Sequence, residues 1–185
     1  MKQSRIKWDC WKLDEAFYVL DPVVKPRDDT ELDPARMTND LVKAKQITWK
    51  LLSEREYARQ ELSHKLIQRG FDRITVDALL DELHVDGLQS DERFAEVYVR
   101  SYIARGHGPL RIQQALREKG VSDSIIEACF LAGNYDWFAL AQALRSRKFG
   151  DIVPKDFAAR AKQSRFLQYR GFSWEQIKAA FSKVD

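Results

Sequence analysis

The stretch LQYRGF at residues 167–172 decides the fold, because two variants of it occur earlier, LIQRGF at 66–71 and LREKGV at 116–121. Each copy has a leucine, two variable residues, a base, a glycine and an apolar residue. The glycines recur at intervals of 50 and 51 residues: Gly70, Gly120 and Gly171. This near-constant spacing predicts an internal repeat of about 50 residues, arranged as a solenoid-like array.

Each copy has the form of a helix C-terminus. Glycine adopts the left-handed conformation that ends a helix, and the next residue then folds back onto a residue one turn inside it. Three contacts are therefore predicted: Phe71 on Leu66, Val121 on Leu116, and Phe172 on Leu167. Apolar residues six, nine and ten positions beyond each glycine predict a second, amphipathic helix.

Nine helices are predicted between residues 37 and 185, with no strand. The first runs from about Asn39 to Leu52, and a capping box from Ser53 to Glu56 opens the second. Gly133 is expected to end the sixth helix. In the middle repeat, Gly106 stops one helix and Pro109 suits the first turn of the next. The last helix begins with a capping box formed by Ser173 and Gln176.

The predicted organisation is an N-terminal extension or arm at 1–36 and repeats at 37–88, 89–133 and 134–185. Within the arm, residues 7–21 (KWDCWKLDEAFYVLD) suggest a short strand or hairpin, and residues 22–36 are typical of a charged, proline-rich linker.

Composition favours a globular protein of a reducing compartment, which predicts a cytoplasmic location. The hydrophobic content is 44%, there are two cysteines with no CxxC motif, and no long apolar run suggests a signal peptide or membrane span. Net charge is only +3, but residues 141–185 hold ten bases and four acids. Repeat 3 is therefore suited to a polyanion or an acidic protein surface. Cations that complement helix ends explain the same excess equally well.

Motifs typical of enzymes are absent from the sequence. There is no GxxxxGK, GxGxxG, HExxH or GxSxG pattern. We therefore expect no catalytic residue, no metal ion and no cofactor.

Three groups of residues are candidates for binding. Lys162, Arg165 and Tyr169 share one arc of a helix, and two cations beside an aromatic ring suit a phosphate backbone or an acidic groove. The others cluster at a helix end or flank the middle glycine turn: Arg145, Arg147 and Lys148, and Arg105 and Arg111. A solvated helix face and dipole complementation are the plain alternatives.

Longer stretches resemble the RecX family of recombinase regulators, over about residues 40–183. The stretches on which the resemblance rests are SDERFAEVYVRSYIARGHGPLRIQQALREKGVSDSIIE at 90–127, DWFALAQALRSRKFG at 136–150 and RFLQYRGFSWEQIKAAF at 165–181. The family motifs are matched by three sets of residues: Asp91, Arg93 and Phe94; Gly106, Gly108, Pro109 and Arg111; and Lys119 with Gly120. Leu88 and Ser90 depart from the aromatic and acidic residues usual before the first set.

The resemblance implies an all-α fold of three tandem three-helix repeats in an elongated, curved array. It also implies that the chain binds the RecA filament on single-stranded DNA, lodges in the filament groove, and inhibits ATPase, strand-exchange and co-protease activities. DNA repair and the SOS response would thereby be modulated by what we expect to be a monomer.

A DNA-binding protein is the alternative, because three-helix units can resemble helix-turn-helix domains. Weak, nonspecific binding to single- or double-stranded DNA by the basic end fits this class. The acidic helix FDRITVDALLDELHVD, at 71–86, suits a major groove poorly.

Met37 directly precedes the first helical repeat, and a translation start there would yield a compact repeat protein. Residues 1–36 are therefore hypothesised to be either an upstream extension or a lineage-specific arm, which leaves the start open between Met1 and Met37. Intact-mass analysis of the natural protein tests this expectation. A mass for all 185 residues would rule out the late start.

Overall fold

The computed structural model describes residues 34–182, with side chains from residue 39 onward. Within that range it contains nine helices and no strand, which confirms the all-α prediction. The helices are α1 Pro34–Glu54, α2 Arg59–Ile67, α3 Arg73–Val85, α4 Asp91–Ala104, α5 Pro109–Glu118, α6 Asp123–Gly133, α7 Trp137–Phe149, α8 Phe157–Tyr169 and α9 Trp174–Ala179. The hairpin expected at 7–21 lies outside the described residues.

The helices pack in threes, and each triplet encloses its own apolar core. We call α1–α3 repeat 1, α4–α6 repeat 2 and α7–α9 repeat 3. The extensive helix–helix contacts all fall within a triplet. The cores are centred on Leu62, Leu66, Leu79 and Leu80; on Phe94, Val99, Ile112 and Leu116; and on Leu144, Leu167, Phe172 and Ile177. Ala58 of repeat 1 and Trp137 of repeat 3 also pack into the core of repeat 2. Because each core nevertheless lies mainly within one triplet, the chain is an array of small units rather than one large core.

The three repeated glycines end α2, α5 and α8 in the same way. Gly70, Gly120 and Gly171 have φ of 86°, 80° and 88°. The N–H of the following residue donates to the carbonyl of the leucine five positions earlier, at 3.3, 3.1 and 3.2 Å. Each glycine N–H donates to the carbonyl three positions earlier. These are the two bonds of a Schellman motif, and each predicted apolar pair lies in one core.

Two predicted helix boundaries are wrong. Ser53 does not open α2, because it lies in the last turn of α1 and its hydroxyl donates to the Lys50 carbonyl at 2.8 Å. Gly133 remains inside α6, and Asn134 takes the left-handed turn with φ of 43°. A Cβ on Gly133 would meet the ring of Tyr135 and require that side chain to move.

The first helix also begins earlier than predicted, at Pro34 instead of near Asn39. Proline suits the first helical position, because its missing N–H has no partner there anyway. The capping box at Ser173 and Gln176 is confirmed: the Ser173 hydroxyl accepts from the Gln176 N–H, and the Gln176 side chain accepts from the Ser173 N–H at 2.8 Å.

Gly120→Val should lower the free energy of unfolding by about 1–3 kcal/mol, because a β-branched residue is strained at positive φ. Urea unfolding measures the change. An added side chain would also collide with Gln60, whose Cβ would lie 2.7 Å from the new Cβ, so the comparison is repeated in a Gln60→Gly background. Unchanged midpoint and slope in both backgrounds would refute the helix-ending role of Gly120.

Candidate docking surface at the junction of repeats 2 and 3

Repeats 2 and 3 are joined by the backbone at two helix ends. The Gly108 N–H donates to the Arg170 carbonyl at 2.7 Å, and the Leu110 N–H donates to the Gly171 carbonyl at 3.0 Å. The donors belong to the start of α5 and the acceptors to the end of α8, where intrahelical partners are lacking. The positive end of one helix dipole also meets the negative end of the other. Each helix end therefore supplies the hydrogen bonds that the other needs.

The glycine–x–glycine–proline turn is the structural requirement for this close approach. A Cβ on Gly108 would lie 2.5 Å from the Gly171 carbonyl oxygen, so no larger residue fits there without shifting backbone. Gly106 has φ of 79°, and a Cβ on it would lie 2.8 Å from the Leu144 side chain in repeat 3. Pro109 occupies the first position of α5, as predicted. The turn is thus a packing device between repeats.

Arginines bridge the same junction by donating to carbonyls at helix ends. Arg111 donates to the Tyr169 carbonyl at 3.2 Å, and Arg170 donates to the Arg105 carbonyl at 3.1 Å. The guanidinium of Arg105 lies 5.1 Å from the ring centroid of Tyr102. The junction therefore holds three guanidinium groups in defined orientations.

Repeats 1 and 2 meet through side chains of opposite charge instead. Asp91 accepts from the Arg59 N–H at 2.8 Å and so caps α2, which has no cap of its own. Arg93 donates to Glu56 at 3.0 Å. Phe94, which forms one sequence motif with Asp91 and Arg93, is buried in the core of repeat 2. The aspartate–x–arginine–phenylalanine motif is thus the connection from repeat 2 to repeat 1.

A second group of charges completes this junction around Glu61. Arg55 lies 2.9 Å from the Glu61 carboxylate and Lys119 lies 3.4 Å from it. The positive charges of this junction are therefore balanced within the protein.

The cations around the junction between repeats 2 and 3, which we call the second junction, have no such balance. Among residues 39–182, no carboxylate lies within 4.0 Å of seven of them: Arg105, Arg111, Arg147, Lys148, Lys162, Arg165 and Arg170. These seven residues form what we call the unpaired basic surface. An anionic partner would supply the missing counter-charge.

One predicted member does not belong to this surface. Arg145 is 2% exposed, and its guanidinium donates to the carbonyls of Ala180, Gly150 and Asp151 at 2.9, 3.3 and 3.2 Å. It therefore holds the loop after α7 against the end of α9 and is not available to a partner. Arg147 and Lys148, two and three positions on, are exposed.

The predicted arc on α8 faces solvent. Lys162 and Arg165 are exposed, and Tyr169 is 69% exposed. The guanidinium carbon of Arg111 lies 5.2 Å from the Tyr169 ring centroid, so the structure brings together two candidates that are 58 residues apart. Trp174, at the start of α9, is 70% exposed and was not predicted as a site residue. Its position three residues after Gly171 was the sequence feature that could have indicated it as a site residue.

A notch opens between repeats 2 and 3 on the α4–α7 side of the junction. Its volume is about 130 Å³. The walls are mainly apolar, and they consist of Ile103, Gly106, His107, Leu140, Ala143, Leu144, Arg147 and Phe172. Spacings of three and four along α7 place Leu140, Ala143 and Arg147 on one face, and this periodicity in the sequence could have indicated the notch. We call this feature the junction notch.

The described residues show little that suits catalysis. Burial raises the pKa of the Cys129 thiol and therefore disfavours the reactive thiolate. The pKa of Tyr98 is raised by burial and by a hydrogen bond with Tyr102, which disfavours the phenolate. Histidine, cysteine and carboxylate groups in this part of the chain form no cluster of three that suits a metal ion. None of its helices has both the length and the apolar character needed to cross a bilayer.

Family models match all three repeats. They are the RecX first three-helix domain at residues 44–83, the second at 90–129 and the third at 134–181. The chain belongs to the RecX family. It is 45% identical over 136 residues to the Regulatory protein RecX of Halorhodospira halophila strain DSM 244 / SL1, covering 74% of this chain and 84% of that one. Identity to the Vibrio vulnificus strain CMCP6 Regulatory protein RecX is 38% over 147 residues, or 80% and 96% of the two chains.

Solved structures have the same fold. The crystal structure of RecX from Lactobacillus salivarius matches with a TM-score of 0.66 at 22% identity, over 77% of this chain and 95% of that one. A crystal structure of regulatory protein RecX matches with a TM-score of 0.67 at 24% identity, over 80% and 77%. Four of the residues on which the resemblance to RecX rests, Asp91, Arg93, Gly106 and Gly108, lie where one repeat meets the next.

Arg145→Ala should lower the free energy of unfolding by about 2–4 kcal/mol, because it leaves buried carbonyls without donors. Arg147→Ala is the matched control on the same helix and should change stability by less than about 0.5 kcal/mol, since its side chain is exposed. Thermal and urea unfolding measure both. Equal stability of the two variants would contradict the structural role of Arg145.

Proposed function

We propose that this chain binds the RecA recombinase filament on single-stranded DNA and inhibits its ATPase, strand-exchange and co-protease activities. In this way it would modulate DNA repair and the SOS response. RecX family membership supports the class of function, and the relatives are named regulatory proteins. We further propose that it acts as a cytoplasmic monomer without catalysing a reaction.

The observation that carries the proposal is the unpaired basic surface. Cations in the described part of repeat 1 are largely paired internally, as with Arg55 and Arg59, which contact Glu61 and Asp81. Those at the second junction and along α8 are not. A filament of protein and DNA offers both acidic side chains and phosphates as counter-charges.

The mechanism that we propose is mechanical. Three linked repeats lying along the filament groove would contact more than one recombinase subunit at once. Subunits held together in this way cannot complete the relative motions that accompany nucleotide turnover and subunit addition. Inhibition would then follow from the binding of the array, with the basic repeat as one of its anchors.

Direct binding to DNA is the second candidate, and one observation favours it. Tyr169 is exposed beside Arg111, and cations next to an exposed ring suit a single strand, whose bases stack on aromatic side chains. A helix-turn-helix regulator is less well supported. The exposed face of α3 carries Asp77, Asp81 and Glu82, which would repel the phosphates that flank a major groove.

ATP hydrolysis by RecA filaments, with this chain titrated at fixed salt, tests the proposal. Loss of turnover at substoichiometric protein would support direct action on the filament. Undiminished turnover, together with a shift of naked DNA in a gel, would favour the DNA-binding candidate instead.

The double variant Lys162→Glu/Arg165→Glu should raise the concentration needed for half-inhibition about tenfold, because two cations of the contact surface become repulsive. Its far-ultraviolet circular dichroism should not change, since both side chains are exposed. The matched control is Lys43→Glu/Lys50→Glu, which makes the same charge change on the exposed face of α1. Inhibition equal to that of the unaltered protein would remove Lys162 and Arg165 from the mechanism.

A further inference from the structure

The junction notch combines an apolar hole with an unpaired positive charge. Five of its lining residues are apolar: Ile103, Leu140, Ala143, Leu144 and Phe172. Its volume of about 130 Å³ is close to the roughly 150 Å³ of a dry apolar cavity that holds one benzene molecule. The notch is therefore large enough for one leucine-sized or phenyl side chain.

The charge lies at the rim of the notch, on Arg147. This side chain is exposed, and no carboxylate among residues 39–182 pairs with it. One Nη atom lies 3.2 Å from the position that a Cβ on Gly106 would occupy, so the guanidinium reaches across from repeat 3 to the turn of repeat 2. Lys148, also exposed, follows it on α7. A ligand in the notch would meet positive charge as it leaves the apolar walls.

Both walls are fixed before any ligand arrives. Ile103 and Gly106 come from repeat 2, whereas Leu140, Leu144 and Phe172 come from repeat 3. The backbone bonds from the start of α5 to the end of α8 hold these walls together. A preformed site avoids the free-energy cost of ordering its own walls on binding.

We infer that the junction notch is a protein-docking pocket for one apolar side chain flanked by a carboxylate. The side chain fills the hole, and the carboxylate pairs with Arg147. The inference rests on the proposed function, in which the segment that carries these two groups belongs to a recombinase subunit. Charge complementarity favours an acidic segment here. That segment is a protein, because one notch suits a single side-chain anchor, whereas a nucleic acid strand requires a row of stacking surfaces.

The chemistry of the notch is tested on the full chain with 3-phenylpropionate, which carries a phenyl group and a carboxylate. In ¹H–¹⁵N correlation spectra we expect saturable shifts at Gly106, Leu144 and Arg147, with a dissociation constant on the order of millimolar. The neutral analogue 3-phenylpropanamide should bind the unaltered chain at least about threefold more weakly than 3-phenylpropionate does. Binding of 3-phenylpropionate to the Arg147→Glu variant should be weakened by at least the same factor. The inference is overturned by the absence of shifts at the notch, or by notch shifts with oligodeoxythymidylate alone.

The docking role is tested with Ala143→Trp, which places an indole in the notch from an exposed position on α7. It should raise the concentration for half-inhibition of RecA filaments about tenfold. Ala128→Trp, at an exposed position on α6 away from the unpaired basic surface, is the matched control and should inhibit as the unaltered chain does. Arg147→Glu provides a second variant that changes charge without adding bulk.

The outcomes separate this inference from the proposed function. If the unaltered chain inhibits filaments and both notch variants inhibit equally well, the docking pocket is refuted and the proposed function stands. If the unaltered chain fails to inhibit filaments, the proposed function fails and the recombinase is excluded as the source of the segment. Selective, saturable 3-phenylpropionate binding would then still support the pocket chemistry.

Discussion

The pairing of helix starts with helix ends is the interaction on which the array depends. An isolated helix leaves N–H groups at one end and carbonyls at the other without partners. At the second junction, the first N–H groups of α5 find the last carbonyls of α8. The glycine that ends α8 brings its carbonyls within reach, and Gly108 removes the Cβ that would hold α5 away. A local helix stop therefore also determines how one repeat meets the next.

The two junctions use different chemistry, and this difference shapes the surface. Side-chain carboxylates, Asp91, Glu56 and Glu61, hold repeats 1 and 2 together and neutralise the nearby cations. Main-chain bonds hold repeats 2 and 3 together, so no carboxylates are needed there. The arginines of the second junction remain available to an external anion while their orientation is already fixed by Tyr169 and Tyr102. Unpaired charge and a preformed notch are thus two consequences of one backbone connection.

The sequence predicted those structural features that depend only on residues close together in the chain. Six residues suffice for a Schellman motif, so the helix ends at Gly70, Gly120 and Gly171 were all predictable. Interactions between distant residues were not. The cap of α2 comes from a carboxylate 32 residues away, which is why a capping box was wrongly assigned to Ser53. Arg145 has the same sequence context as its basic neighbours, and only its bond to a carbonyl 35 residues away shows that it is buried.

The same rule distinguishes the start of α8 from the starts of α2 and α5. Neither α2 nor α5 has a side-chain cap of its own, because the next repeat satisfies the first N–H groups of each helix. In the third repeat, Asp156 caps α8 by accepting from the Ala159 N–H at 2.8 Å. The start of α8 is therefore satisfied inside its own repeat, and the α8 cations Lys162 and Arg165 remain exposed.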